Sequence, residues 1–119
     1  MPDTQTFTGG CHCGRVRYET PADLTNVITC NCSICQKSGS MLTFVPATQF
    51  TLKSGEDALT DYRFNKHQVT HQFCEDCGIK SFARGKMPDG TEMVAINVRC
   101  LDDVDISALT PKQVDGRRF

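Results

Sequence analysis

The chain has 119 residues, 39% of them hydrophobic and none of them tryptophan, and its 13 basic and 14 acidic residues leave a net charge of −1. That length fits one domain, residues 1–119, with a modest core. The charge balance speaks against a nucleic-acid or membrane surface. No stretch approaches the ~20 apolar residues of a membrane span. The first ten residues, MPDTQTFTGG, lack the basic and apolar regions of a signal peptide, so a cytoplasmic chain with reduced thiols is expected.

In chain order, Gly9-Gly10 predicts a turn before Cys11. Residues 15–19 (RVRYE) alternate, with Val16 and Tyr18 on one face. This predicts a strand that Thr20-Pro21-Ala22-Asp23 ends. Residues 26–29 (NVIT) form a short β-branched stretch running into Cys30. Residues 33–39 leave room for a single helical turn around Cys35. Residues 41–45 (MLTFV) read as a strand ended by Pro46, and 49–53 (QFTLK) as another with Phe50 and Leu52 on one side. Ser54-Gly55-Glu56-Asp57 is a turn. Strands are expected at 59–64, 69–73 and 80–84. A turn at Pro88-Asp89-Gly90 then leads into 92–98 (EMVAINV), the strongest strand pattern in the chain. From Leu101 onward loops are expected, with one short helical turn at 108–111. Many short strands with turns about every ten residues give a mainly β class of small, twisted antiparallel sheets.

Eight cysteines are a heavy load for this length. They fall in four groups: Cys11-x-Cys13, Cys30-x-Cys32-x-x-Cys35, Cys74-x-x-Cys77, and Cys100. Such close pairs fit disulfide geometry badly, but they let two sulfurs reach one metal ion from a single turn. Gly14 and Gly78 each follow a pair and permit the tight loop that turns backbone N–H groups toward sulfur. Cys11, Cys13, Cys74 and Cys77 are therefore assigned to one structural zinc. Such a site contributes on the order of 10 kcal/mol in small domains and couples to folding. The bland alternative is four separately packed thiols, and the paired spacing speaks against it.

Cys30, Cys32 and Cys35 leave two arrangements open. With Cys100 as fourth ligand the site is closed and structural. Without it the metal keeps three protein ligands and an open position, as catalytic zinc does. Alternation from Val94, Ile96 and Val98 places Cys100 on their apolar face, where a lone cysteine more often packs than ligates. The open arrangement is favoured. His12, between two ligands, cannot readily turn to the same ion. His67 and His71 share a face at a spacing too wide for chelation, and a surface or hydrogen-bonded role is the ordinary one for His71. Glu75 and Asp76 are expected to be solvated. Lys37 is the cation beside the open cluster, able to offset thiolate charge or hold a carboxylate.

With these groups placed, five segments match a known pattern in order and separation: GGCHCGRVRY at 9–18, CNCSICQKSG at 30–39, FCEDCG at 73–78, INVRCLDDVD at 96–105, and the terminal VDGRRF. The chain resembles the glutathione-dependent formaldehyde-activating enzyme family, whose domain is shared with centromere protein V. The resemblance implies a β-tent fold stabilised by zinc, with two Zn²⁺ per chain. It implies a structural ion on Cys11, Cys13, Cys74 and Cys77, a catalytic ion on Cys30, Cys32 and Cys35, and Cys100 outside both sets. The activity it implies is the condensation of formaldehyde with glutathione to S-hydroxymethylglutathione, formally carbon–sulfur lyase chemistry. A thiol held at the open position is deprotonated there and can attack the carbonyl carbon. Glutathione also needs partners for two carboxylates, and Lys37, Lys80 and Arg84 are the candidates. Two other classes stand beside this one: a non-catalytic zinc-stabilised binding module with both metals structural, and an iron–sulfur protein.

Overall fold

A computed structural model describes residues 4–63 and 69–115. Phe64, His67 and the Arg117-Arg118 pair lie outside the described residues. The strands are β1 (Thr4–Gly10), β2 (Arg17–Asp23), β3 (Ile28–Cys30), β4 (Met41–Pro46), β5 (Thr51–Ser54), β6 (Leu59–Tyr62), β7 (Val69–Cys74), β8 (Phe82–Lys86), β9 (Glu92–Asn97) and β10 (Lys112–Val114). One short helix, α1 (Ser33–Ser38), follows β3, and 3-10 turns cover Ala47–Gln49, Glu56–Ala58, Val98–Cys100 and Ile106–Ala108. The mainly β class therefore holds.

Two sheets form. The smaller has the order β1-β2-β5 and the larger the order β10-β3-β4-β9-β8-β7-β6. The larger sheet is mixed, because β10 pairs parallel with β3, Lys112 opposite Ile28. The expectation of small, wholly antiparallel sheets is corrected here. Parallel neighbours need a long connection, and residues 31–111 lie between these two strands.

Four local expectations are also corrected. Gly9-Gly10 is not a turn but the end of β1, paired with Tyr18 and Arg17. A Cβ at Gly9 would lie 2.7 Å from the Cys100 carbonyl oxygen, so glycine serves close approach there. Pro21 does not end β2. It pairs with Thr6 of β1, while β5 accompanies β2 only over Arg17 to Glu19. Beyond Glu19 one side of β2 has no neighbour in the sheet, and a missing N–H costs little at such an edge. The strand predicted to reach Val98 stops at Asn97, whose side chain accepts the Arg99 N–H at 3.2 Å and turns the chain. The helical turn expected at 108–111 lies instead at Ile106–Ala108.

Register sorts the side chains of the large sheet. Directly opposed residues share a face, and the face alternates along each strand. Thr70, Arg84, Val94 and Val45 form one cross-strand row, and Gln72, Phe82, Ile96 and Thr43 the next on the same face. This inner face meets the small sheet. Phe82 lies 5.8 Å from the Tyr18 ring and 4.8 Å from the Phe50 ring, centroid to centroid, and Tyr18, Phe82, Val94 and Ile96 are buried. The outer face carries Tyr62, His71, Ala83, Ala95 and Phe44 in one row and Leu42 with Ile28 in another. Two residues on from Ile28, Cys30 belongs to the outer face, whereas Cys74 has the inner-face parity of Gln72 and Thr70.

Candidate metal centres

The first thiol set closes the seam between the sheets. Cys11 and Cys13 follow β1; Cys74 ends β7 and Cys77 lies in the turn after it. The four sulfurs lie within 4.8 Å of one another. Cys13 Sγ is 3.6 Å from Cys11 Sγ and 3.6 Å from Cys74 Sγ, across 61 positions of sequence. Both halves close in the same way. The Cys11 N–H donates to the Val16 carbonyl at 3.1 Å, and the Cys74 N–H to the Ile79 carbonyl at 3.1 Å. Gly14 and Gly78 take φ of 84° and 76° inside these loops, the left-handed conformation the tight turn requires. The Val16 N–H then points at Cys11 Sγ, 3.3 Å away. Arg15 crosses from one half to the other and pairs with Asp76 at 2.7 Å and Glu75 at 3.2 Å. The two exposed acids, expected only to be solvated, thus latch the loops together.

The charges in this set conflict. Backbone N–H groups of Cys13 and Ile79 pull the Cys77 thiol down to about 6. The Arg15 N–H pulls Cys13 down as well, but sharing with Cys11, desolvation, and the Cys74 and Cys77 thiols together outweigh it and push Cys13 up to about 12. Close thiols cannot all ionise alone, and a cation among them removes the conflict. An all-sulfur donor set with N–H groups aimed at sulfur fits a zinc ion.

The second set lies on the outer face. Cys30 ends β3, Cys32 precedes α1, and Cys35 sits in its only full turn. Their sulfurs lie within 4.8 Å of one another. The Cys32 N–H reaches Cys30 Sγ at 3.5 Å. Burial would raise Cys32, but the Cys35 N–H and the neighbouring thiols lower it on balance. Burial, with Cys32 alongside, pushes Cys35 up to about 12. This set too can hold a metal ion.

Cys100 belongs to neither set. Its Sγ is 3.9 Å from the Lys80 carbonyl, and it is half-buried in the 3-10 turn after β9. It does not continue the Val94–Ile96 face as alternation predicted, because the strand has already ended.

The cations also fall differently from expectation. Lys37 is exposed and lines a cleft of about 470 Å³ with Ser33, Ile34, Ser38 and Tyr62. Lys80 is the cation that interacts with Cys35 and Cys32: burial lowers its pKa, and the two thiolates partly oppose that shift. Its Nζ lies 3.3 Å from Nδ1 of His71, which is buried on the outer face. Sequence reasoning weighed Lys80 only as a carboxylate partner; its position three residues past a cysteine pair was the available signal. Arg84 lies on the inner face, across the sheet from the second thiol set, and cannot share a ligand bound there. His12 is exposed.

A profile of the family described as glutathione-dependent formaldehyde-activating enzyme matches residues 6–115. The chain belongs to the glutathione-dependent formaldehyde-activating enzyme family. Its fold is similar to the crystal structure of a Rhodobacter sphaeroides protein, with a TM-score of 0.80 and 27% identity, covering 89% of this chain and 97% of that one. The family match spans both thiol sets and every strand from β2 to β10. Among the described residues, no helix is long and apolar enough to cross a membrane.

Proposed function

We propose that this chain is a one-domain, zinc-dependent enzyme that joins formaldehyde to a small thiol, with glutathione as the thiol. Its architecture is then the family's β-tent, its two zinc ions sit on the two thiol sets, and its compartment is the cytoplasm. The observation that carries the proposal is the three-sulfur set Cys30, Cys32 and Cys35, which Cys100 does not join, in a chain of this family; Ser33, Ile34, Lys37 and Ser38 of the helix that holds Cys35 line a cleft with Tyr62. Three sulfurs leave a fourth position for a substrate thiol. A bound zinc ion would supply the positive charge that lowers the pKa of that thiol.

The chain's own residues supply the rest. Lys80 faces Cys35 and Cys32 and offsets negative charge that three thiolates bring in excess of one divalent ion. Ser33, Lys37, Ser38 and Tyr62 offer hydroxyls and one ammonium along the cleft, suited to a peptide-like body ending in carboxylates. In the reaction the carbon–sulfur bond forms, the carbonyl π bond breaks, and the thiol proton ends on the former carbonyl oxygen.

The test couples metal content to turnover. Native mass spectrometry should show two zinc ions in the purified protein and two in Cys100→Ala. Carbon-13 formaldehyde and glutathione should give S-hydroxymethylglutathione faster with the protein than without it. A Cys100→Ala variant holding one ion would overturn the open site. An unchanged rate with fully loaded protein would overturn the activity.

A further inference from the structure

We infer that the protein carries a second ligand site, for a small organic anion bearing carboxylate or phosphate groups, in the groove around Arg84 on the inner face of the large sheet. The groove has a volume of about 960 Å³ and is lined by Arg63, Thr70, Arg84, Lys86 and Met93 among others. That is within the usual range for small-molecule sites.

Arg84 is its centre. The guanidinium carbon lies 5.2 Å from the Phe50 ring centroid and 5.3 Å from that of Phe82. Its Nε donates to Gln72 Oε1 at 3.1 Å, and Gln72 Nε2 donates to Asp61 Oδ1 at 2.9 Å. The plane of the guanidinium is thus set by two aromatic rings and an anchored amide. Among the described residues no carboxylate pairs with it, although Arg63 has Asp61 at 3.9 Å and Lys86 has Glu92 at 4.0 Å. Among the described residues only Nε has a hydrogen-bond acceptor, which leaves the four N–H bonds of the two terminal nitrogens, the fork that takes two oxygens of a carboxylate or phosphate.

The other two cations stand around this fork. Thr70 is directly opposite Arg84 and accepts from Arg63 Nε at 2.9 Å, which holds Arg63, just past the end of β6, against β7. Lys86 is two residues along β8 on the same face, roughly 7 Å away along the strand. Three cations face two acids, and both of those ion pairs are long and solvent-exposed. A dianion with a short apolar body fits this balance and a lining that also includes Ala47 and Met87. The site lies across the sheet from Cys30, Cys32 and Cys35, so its ligand is not the one bound at the thiols.

Inorganic pyrophosphate and succinate are the probes, titrated at constant ionic strength into zinc-loaded, nitrogen-15-labelled protein. One or both should shift the Arg84 Nε–H and the Gly85 and Lys86 amide signals to saturation, leaving the Cys30, Cys32 and Cys35 amides still. Saturation by succinate alone assigns a carboxylate ligand, by pyrophosphate alone a phosphate ligand, and by both a general oxyanion site. Arg84→Gln should weaken binding by about 10-fold or more, and Arg84→Lys by about 3-fold, since a point charge replaces the fork. Arg63→Gln, at an exposed position, should weaken it by about 3-fold and supplies the comparison if Arg84→Gln does not fold. Absence of saturation with both probes overturns the inference. So does equal saturation by sodium chloride, or affinity unchanged in the Arg84 variants or in Arg63→Gln.

Discussion

Lys80 Nζ lies 3.3 Å from His71 Nδ1, on the face of the sheet that carries Cys30, Cys32 and Cys35. An ammonium only donates, so with Lys80 charged Nδ1 accepts and the ring proton sits on Nε2. Burial first, and the Lys80 charge second, pull His71 down to about 4. The buried ring therefore stays neutral at pH 7.

An NMR titration of the His71 ring should accordingly have its midpoint near 4, below the ordinary value of 6.5. The sign for stability follows. Between 6.5 and 4 the unfolded chain binds a proton that the folded ring refuses. This residue's contribution is thus complete above 6.5 and is lost as pH falls toward 4. A measured midpoint near 6.5 would mean that the ring is not buried against Lys80.

Replacing Lys80 by Met should lower kcat/KM for thiol and formaldehyde about 10-fold, near 1.4 kcal/mol of transition-state stabilisation. Zinc content should remain at the wild-type level, because Lys80 contributes charge and no ligand atom. Lys80→Arg should recover part of the rate. Wild-type turnover in the Met variant would remove Lys80 from the chemistry, whereas loss of zinc would make its role structural.

The two thiol sets should respond oppositely to mutation. Cys74 is fully buried at the seam and holds together loops 61 positions apart in sequence. Cys74→Ser should lose one zinc and most cooperative unfolding, since metal binding at such a site is folding free energy on the order of 10 kcal/mol. Cys35→Ser, in a short helix on the outer face, should lose the other zinc and turnover while keeping a cooperative melt. Zinc stoichiometry with circular-dichroism melts separates the outcomes; equal destabilisation by both would contradict a division between structural and catalytic sets.

Spacing made the thiol partition legible before any coordinates. C-x-C and C-x-x-C loops bring sulfurs together locally, and a four-ligand ion would need two such pairs to meet. What spacing could not convey was the face of the sheet on which each residue emerges. Arg84 and Lys80 were equal candidates in sequence, yet register places Arg84 against Phe50 and Phe82, across the sheet from the outer-face thiols that Lys80 accompanies. Gly9-Gly10 and Pro21 were read through local propensity as breakers. Both sit in paired strands, because the penalties act only where a Cβ or an N–H is needed. Strand β10 is three residues long, and its pairing with β3 depends on contacts more than 80 residues apart, which no local pattern records.

The strictest test of the seam is Gly10. A Cβ there would lie 2.0 Å from the Val16 carbonyl oxygen and 3.0 Å from Arg17 Cδ. The Val16 oxygen is the acceptor that closes the Cys11 loop, so it cannot withdraw without opening the first half of the four-thiol set. Gly10→Ala should therefore cost about 3 kcal/mol or more in urea unfolding of the zinc-loaded protein and should weaken zinc retention at that set. Gly14→Ala is the matched control. Its added Cβ meets nothing within 4 Å, and its φ of 84° imposes only left-handed strain, about 1 to 2 kcal/mol. If the two variants unfold at the same urea concentration, close packing at Gly10 does not limit the seam; a larger loss in Gly10→Ala, with zinc released earlier in a chelator titration, is the expected result.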